Sequence, residues 1–130
     1  EEADLRDRAW AALDELNLTD VAYSPAAGLP FGTLKRIELA RALIANPRLI
    51  MLDEPASGLT HAEVDSLAQD IKDLRDRHNL TVLLVEHHMR MVLGISEKLV
   101  VLNFGRKIAD GDPDVVRNDP EVIEAYLGSS

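Results

Sequence analysis

Apolar residues recur at helical spacing over the first part of the chain. An amphipathic helix is predicted over residues 1–18, followed by a loop over 21–32, which contains two prolines and two glycines. Helical periodicity returns over 33–45 and ends at the Asn46-Pro47 pair. The apolar positions of the first helix are Leu5, Ala9, Leu13 and Leu16.

Two continuous apolar segments, 48–52 and 80–86, predict strands that are covered on both faces of a sheet. Between them, Thr60 and Glu63 have the spacing of a helix capping box, and the helix that follows ends near His78. The buried stripe of this helix is predicted from Val64, Leu67, Ile71 and Leu74. A strand, a helix and a strand in this order form a crossover unit, so we expect two parallel strands in one sheet.

The last part of the chain predicts a short helix, a hairpin and two small helices. The short helix lies around residues 87–94, and the hairpin turns at residues 103–105. Aspartate-proline pairs at 112–113 and 119–120 begin the small helices, and Gly128 suits the end of the last one. The predicted fold class is α/β, with a parallel sheet flanked by helices and a C-terminal β-hairpin.

Composition narrows the class of protein. The chain has 130 residues, of which 46% are apolar, and this suits one domain, 1–130. Its formal charge of −9 argues against a general affinity for nucleic acid or for an anionic membrane surface. The absence of cysteine excludes disulfides and cysteine metal sites, and no apolar run is long enough to span a bilayer. Because the first residue is Glu1, we interpret the chain as a processed product or a piece of a longer protein.

Acidic residues follow both predicted strands. Asp53 and Glu54 come directly after the first strand, and Glu86 and His87 end the second. Ligands of parallel sheets bind beyond the carboxyl ends of the strands, so these side chains are expected at one edge. A carboxylate there can hold Mg²⁺ through its water shell, and a second can polarise an attacking water. The alternative is that Asp53 and Glu54 only cap the turn before Pro55.

Four motifs together resemble the second half of an ATP-binding cassette (ABC) ATPase. They lie in the segments 28–64 and 80–92, in the family's order and spacing, and the resemblance continues through the hairpin to the final "NDPEVIEAYLG". The motifs are the signature segment (Leu29, Pro30, Phe31, Gly32 and Thr33), Walker B (49–53) with the catalytic glutamate Glu54, the D-loop (Ser57, Gly58, Leu59 and Thr60) and the switch histidine His87.

The resemblance implies ATP and Mg²⁺ as cofactors. Asp53 would hold the Mg²⁺ hydration shell, while Glu54 would orient and deprotonate the attacking water. His87 would contact the γ-phosphate and that water. The signature segment lies at the start of a helix, and its backbone N–H groups would contact the γ-phosphate of a nucleotide bound by a partner subunit. The D-loop would cross the dimer interface.

The signature segment departs from the family's usual Leu-Ser-Gly-Gly-Gln. It lacks the serine hydroxyl and one glycine, so Gly32 and backbone groups would carry the phosphate contact. A proline followed by an aromatic residue is expected in the branch similar to importers of branched-chain amino acids and other small amides. Thr60 replaces the usual D-loop aspartate, and it is equally explained as the cap of the following helix.

The sequence contains no G-x-x-x-x-G-K-[ST] phosphate loop. The chain therefore resembles the C-terminal half of an ABC ATPase, a partial P-loop NTPase core. Residues 1–46 would be part of the helical subdomain with the signature helix, and residues 47–130 the Walker B, D-loop, switch-histidine and C-terminal region. Without the phosphate loop and its strand, we expect the isolated chain to be inactive and to have an exposed sheet edge that pairs with another chain.

Two functions remain open at this point. The first is part of the energy-coupling ATPase of an importer for branched-chain amino acids or related small solutes. Its partners would be a second ABC ATPase subunit and membrane permease subunits, which would hold it at the cytoplasmic face of the cell membrane. The second is a non-catalytic module, derived from such an ATPase, that binds itself or another protein through the open sheet edge.

Other polar and aromatic residues are interpreted as structural. His88 lies next to His87, but neighbours in sequence diverge in direction, so no metal pair is expected. Trp10 is interpreted as a packing residue. His61 and His78 are expected to be solvated, and three arginines are expected to solvate a helix face or to pair with acids: Arg36, Arg41 and Arg48. Four aspartates are expected to form a charged outer face with no catalytic role: Asp65, Asp70, Asp73 and Asp76.

Overall fold

The computed structural model describes residues 1–128. The helices are α1 (Glu2–Glu15), α2 (Phe31–Ile44), α3 (His61–His78), α4 (Met89–Ile95), α5 (Pro113–Val116) and α6 (Pro120–Val122), with a 3₁₀ turn at Thr19–Val21 and a π-helical turn at Ile123–Leu127. The strands are β1 (Leu49–Asp53), β2 (Thr81–Val85), β3 (Leu99–Asn103) and β4 (Arg106–Gly111). The predicted α/β class and order of elements are confirmed.

The strands form two separate two-stranded sheets. β1 and β2 are parallel, with Asp53 opposite Val85, which confirms the predicted crossover unit. β3 and β4 are antiparallel, and their register shifts between Val101 and Leu102. The turn between them places both Phe104 and Gly105 at positive φ, as a two-residue hairpin turn requires.

The parallel strands are covered by helices on one face only. Ile50 is buried in the main core with residues of α1, α2 and α3. On the other face, four apolar side chains are exposed by about half or more: Leu49, Met51, Leu83 and Val85. The prediction that both faces are covered is therefore wrong for residues 1–128. A continuous apolar run shows what a strand can bury, but it does not show that the covering element belongs to the same chain.

α3 is the central helix of the main core. The Thr60 hydroxyl accepts a hydrogen bond from the Glu63 N–H, and the Glu63 carboxylate accepts one from the Thr60 N–H at 2.8 Å, so the capping box is confirmed. The helix ends at Asn79, which adopts a left-handed conformation. The four residues predicted as its buried stripe are all buried: Val64, Leu67, Ile71 and Leu74.

The N-terminal helix matches its predicted pattern only in its second half. Leu16 is buried, but Leu5 and Trp10 are about half exposed, so the prediction for Leu5 is wrong. The reason is that Leu5 lies in the first turn of α1, whose residues are all exposed, while the first buried residue of the helix is Ala12. Glu15, at the end of α1, accepts hydrogen bonds from Arg77 and lies 2.7 Å from the His78 ring nitrogen.

An ion pair joins α2 to α3. Arg36 Nε donates to Asp70 at 2.9 Å, and its Nη2 donates to Ser66 at 2.6 Å. Asp70 faces α2, so its predicted place on an outer charged face is wrong. Burial raises the pKa of the Asp70 carboxyl, and this effect outweighs the opposing attraction of the Arg36 guanidinium.

A second, smaller core lies beneath the hairpin. It contains Val101, Val116 and Val122, and the Tyr126 hydroxyl donates to the Leu102 carbonyl beside it. Both aspartate-proline pairs begin helices as predicted, and the Asp119 side chain accepts from the Glu121 N–H at 2.8 Å. None of the helices within residues 1–128 combines the length and apolar character needed to cross a membrane.

Candidate active site

Glu54 and His87 meet at the carboxyl ends of the two parallel strands. The register places Asp53 opposite Val85, so the residues that follow the two strands are neighbours. The Glu54 N–H donates to the Val85 carbonyl at 2.7 Å, which continues the ladder one residue beyond β1. The His87 Nδ1 lies 3.3 Å from the Glu54 Oε1, and both side chains are mainly exposed. The pair is therefore open to a ligand.

The backbone of Glu54 has an unusual conformation. Its φ angle is +47°, in the left-handed region, although it is not a glycine. Such a conformation costs an L-residue about 1–2 kcal/mol. Among the described residues, four other non-glycine residues share it, and they lie after helices or in the hairpin turn: Asn17, Asn46, Asn79 and Phe104. The turn at Glu54 directs the chain sharply away from β1 into the buried Pro55 and Ala56. Sequence patterning contains no signal for it.

Asp53 is the last residue of β1, and its residue surface is exposed. Within residues 1–128 its carboxylate forms no hydrogen bond or ion pair. Among the residues that the structure describes, no group of three or more histidine, aspartate or glutamate side chains is arranged to hold a metal ion. Mg²⁺ is commonly held by one or two carboxylates together with water and substrate phosphates, so a single available carboxylate fits that ion.

Glu86 differs from the other strand-end acids because its side chain is only 1% exposed. Its Oε2 accepts from the Ala56 N–H at 3.0 Å, and its Oε1 accepts from the His87 N–H at 3.0 Å. The sequence predicts Glu86 at the same sheet edge as Asp53, Glu54 and His87, but it gives Glu86 no role at the site. The feature of the sequence that could have indicated a role for Glu86 is its position between an apolar strand and a histidine.

The signature segment forms the start of α2. Pro30 is the N-terminal cap residue without a side-chain capping bond, and Phe31, Gly32 and Thr33 make up the first turn. The helix begins two residues before the predicted start. Leu34 is the first residue whose N–H is bonded within the helix, to the Pro30 carbonyl at 3.1 Å. The preceding N–H groups point out of the helix end, as an anion site requires.

The D-loop lies against the signature segment of the same chain. Gly58 has a φ of +79°, and a β-carbon added there would stand 2.9 Å from the Phe31 ring. A β-carbon added at Gly32 would stand 3.1 Å from the Glu63 carboxylate. The Lys35 ammonium lies 5.2 Å from the centre of the Phe31 ring.

The remaining D-loop residues have structural contacts. Ser57 donates its N–H to the Glu54 carbonyl at 3.1 Å, and Leu59 donates to the Ala56 carbonyl at 3.2 Å. Thr60 caps α3. Within residues 1–128, no side-chain hydrogen bond or ion pair joins the signature segment to Glu54 or His87. The candidate residues thus form two groups, one at the strand ends and one where α2 and α3 begin.

His88 does not share the environment of His87. It precedes α4, its ring lies 6.0 Å from that of His61, and its buried Nδ1 has no hydrogen-bond partner within the described residues. The two neighbouring histidines therefore contact different parts of the chain.

An open cleft of about 700 Å³ separates the two sheets. β2 and β3 line it, with exposed apolar side chains from both strands. Glu54 and His87 also border this cleft. The open edge of the parallel sheet and the site at its carboxyl end are therefore parts of one surface.

Comparison with known families gives two matches. A family described as "ABC transporter" matches residues 1–57, and one described as "Branched-chain amino acid ATP-binding cassette transporter" matches residues 106–130. Among solved structures, an ATP-binding cassette of an ABC transporter in its ADP conformation, MJ1267, has a TM-score of 0.86 at 30% identity, over 97% of this chain and 51% of that one. CbiO1 from Clostridium perfringens, part of an ABC transporter complex, has a TM-score of 0.85 at 27% identity, over 95% and 49%.

Curated relatives indicate the kinds of ABC transporter ATP-binding protein to which the chain is similar. The high-affinity branched-chain amino acid transport ATP-binding protein BraF of Pseudomonas aeruginosa is 48% identical over 91% of this chain and 46% of its own length. The corresponding LivG protein of Escherichia coli is 44% identical, over 95% and 49%. The lipopolysaccharide export system ATP-binding protein LptB of Haemophilus influenzae is 37% identical, over 95% and 51%.

The fold, the motifs and these matches agree on one class: over most of its length the chain is similar to the ATP-binding subunits of ABC transporters. Within that class it is similar to the ATP-binding proteins of branched-chain amino acid transport, and it resembles the C-terminal half of such an ATPase. The chain spans about half the length of the curated relatives it matches.

Proposed function

We propose that this chain is part of the ATP-hydrolysing, energy-coupling subunit of an ABC importer for branched-chain amino acids or related small solutes. The observation that carries the proposal is the Glu54–His87 pair, with 3.3 Å between carboxylate and imidazole at the edge where ligands of parallel sheets bind. A carboxylate beside an imidazole can orient a water molecule and accept its proton.

In this proposal, Glu54 orients and deprotonates the attacking water, and His87 contacts that water and the γ-phosphate. Asp53 holds the hydration shell of Mg²⁺. When bound, Mg²⁺ would supply positive charge that offsets the charge developing on the transferred phosphoryl group. The exposure of Glu54 and His87 supports these roles, because a catalytic pair must be reachable by water and nucleotide.

The signature segment and the D-loop would act across a dimer interface. The N–H groups at the start of α2 are suited to a γ-phosphate held by a second ABC ATPase subunit. The contact between Phe31 and Gly58 supports a coupled movement of both motifs against that partner. Because the signature segment has one glycine fewer than the family's usual sequence, Gly32 would carry the closest backbone approach to phosphate.

Import and the branched-chain amino acid class rest on identity to the named relatives. BraF and LivG are 48% and 44% identical to this chain, whereas LptB, an export protein, is 37% identical. We further propose membrane permease subunits as partners, and the cytoplasmic face of the membrane as the location. In this arrangement, residues 1–46 belong to the helical subdomain, and residues 47–130 contribute the Walker B, D-loop and switch-histidine regions.

The 130 residues alone would not hydrolyse ATP, because they contain no phosphate loop to hold the α- and β-phosphates. The cleft between β2 and β3 supports this part of the proposal. A strand leading into a phosphate loop would pair with the open edge of β2 and bring that loop beside Glu54 and His87.

A second candidate function has its own supporting observation. Leu83 and Val85 of β2, together with Val100 and Leu102 of β3, leave exposed apolar surface on both sides of the cleft. Such an edge pairs readily with another strand. The chain would then be a non-catalytic module that associates with itself or with another protein through this cleft.

Two experiments separate these functions. In a full-length ATPase that contains these residues, Glu54→Gln should abolish turnover while ATP binding persists, and His87→Ala should reduce hydrolysis more than binding. Retained turnover in Glu54→Gln would exclude Glu54 as the base. Asp65→Asn is a matched control because Asp65 is a carboxylate paired with Arg90 away from the strand ends.

The second experiment uses the 130-residue chain itself. Calorimetric titration with Mg-ATP, with EDTA as the control, should show no binding. A stable oligomer in sedimentation of the same sample without nucleotide would support the self-associating module. Magnesium-dependent binding would contradict the proposed need for a phosphate loop.

A further inference from the structure

We propose that Glu86 is a positioning residue that fixes Glu54 and His87 relative to one another. Its carboxylate accepts two hydrogen bonds at the same time, one from the Ala56 N–H before the D-loop and one from the N–H of His87, the switch histidine. This inference rests on the proposed function, because the pair that Glu86 positions is the one proposed to act on water and the γ-phosphate.

The first support is the burial of the Glu86 side chain. It is 1% exposed, although the Glu54 and His87 side chains beside it are 52% and 68% exposed. A buried carboxylate is costly unless hydrogen bonds compensate the lost hydration. Both of its oxygens are engaged, each by one backbone N–H at 3.0 Å. Bonds from N–H groups to an ionised carboxylate are stronger than those between neutral groups.

The second support is where those two bonds lead. Ala56 lies two residues after Glu54 and directly precedes Ser57, the first residue of the D-loop. The Glu54 N–H is bonded to the Val85 carbonyl, so the segment after β1 is tied at two points, first to the last residue of β2 and then to Glu86 beyond it. The Glu86 side chain thus extends the β1–β2 ladder beyond the strands, where backbone pairing has ended.

The geometry has a consequence for the exposed pair. Glu54 follows a strand but has left-handed backbone geometry, and no side-chain bond other than the one to His87 holds its carboxylate within residues 1–128. Fixing the flanking backbone is therefore the means by which a 3.3 Å separation is maintained. Glu86 contacts neither water nor nucleotide in this role, and it acts through His87 and the residues around Glu54.

The first test uses the 130-residue chain and amide hydrogen exchange. Glu86→Gln keeps the shape of the side chain but replaces one acceptor oxygen with an NH₂ group, which cannot accept from an N–H. We expect exchange at Ala56 or His87 to accelerate about tenfold or more, while Leu67 in α3 is unchanged. Glu15→Gln is the matched control, since Glu15 is a carboxylate bonded to Arg77 and His78 far along the sequence. Unchanged exchange at both amides in Glu86→Gln would overturn the proposal.

The second test measures turnover in a full-length ATPase that contains these residues. Glu86→Gln should lower kcat about tenfold, with KM for ATP changed less than about twofold, since ground-state binding is kept. In a His87→Ala background the same change should lower kcat by a smaller factor than in the unmodified protein, because part of the effect of Glu86 is exerted through His87. A full additional loss of kcat in that background, or an unchanged kcat in the single variant, would overturn the proposal.

The two proposals fail in different ways. Glu54→Gln is measured in the same series, and retained turnover there would refute the proposed role of the pair. If Glu54→Gln is inactive but Glu86→Gln has the kcat of the unmodified protein, only the positioning role is refuted. Glu15→Gln should keep its kcat in either case, because Glu15 contacts neither motif.

Discussion

Replacing Gly58 with alanine tests the contact between the D-loop and the signature segment. Two costs are expected. The first is conformational, because an L-residue at the φ of +79° costs about 1–2 kcal/mol. The second is steric, because the new β-carbon would stand 2.9 Å from the Phe31 ring. The ring is 49% exposed and can move aside, so this cost falls near the lower end of the range for overpacking, about 1 kcal/mol. The total is about 2–3 kcal/mol.

Gly105 supplies the matched control for this prediction. Its φ is +77°, almost the same angle, but among the described residues no atom beyond its two chain neighbours lies within 4 Å of an added β-carbon. Gly105→Ala should therefore lose only the conformational part, about 1–2 kcal/mol. The assay is urea unfolding of the 130-residue chain, followed by circular dichroism and compared at equal m-values.

A double variant isolates the steric part. With Phe31→Ala already present, the cost of Gly58→Ala should fall to the value measured at Gly105, because the obstructing ring is gone. Equal costs for the two single glycine variants would refute the reasoning. So would an unchanged Gly58→Ala cost in the Phe31→Ala background, since the two residues would then not be in contact in solution.

Three further predictions concern α3. Thr60→Ala should remove the side-chain cap and lower stability by about 1 kcal/mol, read from the urea midpoint; Thr60→Ser, which keeps a hydroxyl, should lose less. Leu74→Ala should cost about 2–5 kcal/mol because Leu74 is buried, and a cost below about 1 kcal/mol would contradict its core position. NMR titration should find the pKa of Asp70 above its usual value, and Arg36→Ala should raise it further.

The raised pKa of Asp70 also fixes the sign of a pH effect on stability. A carboxyl whose pKa is higher in the folded state binds its proton more tightly there. Its stabilising contribution is complete below the unfolded pKa and is lost as the pH rises through the folded pKa. The stability of the unmodified chain relative to Asp70→Asn should therefore fall across that interval, and a rise would contradict the assignment.

Sequence periodicity correctly predicted features that depend on the spacing of residues along the chain. The stripe of α3 and its capping box were readable because spacing alone determines which side chains share a helix face. The parallel pairing followed from the crossover, and it brought the residues after Asp53 and Val85 together. Spacing also indicated the hairpin turn.

Other features depend on contacts that a linear pattern does not contain. Leu5 has helical spacing but is exposed, because it lies in the first turn of α1, where every residue is exposed. Met51 and Leu83 lie in apolar runs but on a face that residues 1–128 leave uncovered. Glu86 reads as an ordinary polar strand end, and its burial depends on two N–H groups, one of them thirty residues away in sequence. The left-handed Glu54 is a property of the folded turn.

A methionine on the uncovered face of the β1–β2 sheet can report whether that face is occupied. Met51 projects from that face and is 71% exposed, whereas Met91 in the main core is 2% exposed. A thioether accessible to solvent is oxidised to the sulfoxide far faster than a buried one. Brief treatment with peroxide followed by mass spectrometry would thus measure occupancy of the face directly, with Met91 as the internal reference. Any element that packs over β1, from the same polypeptide or another, would be detected as protection of Met51.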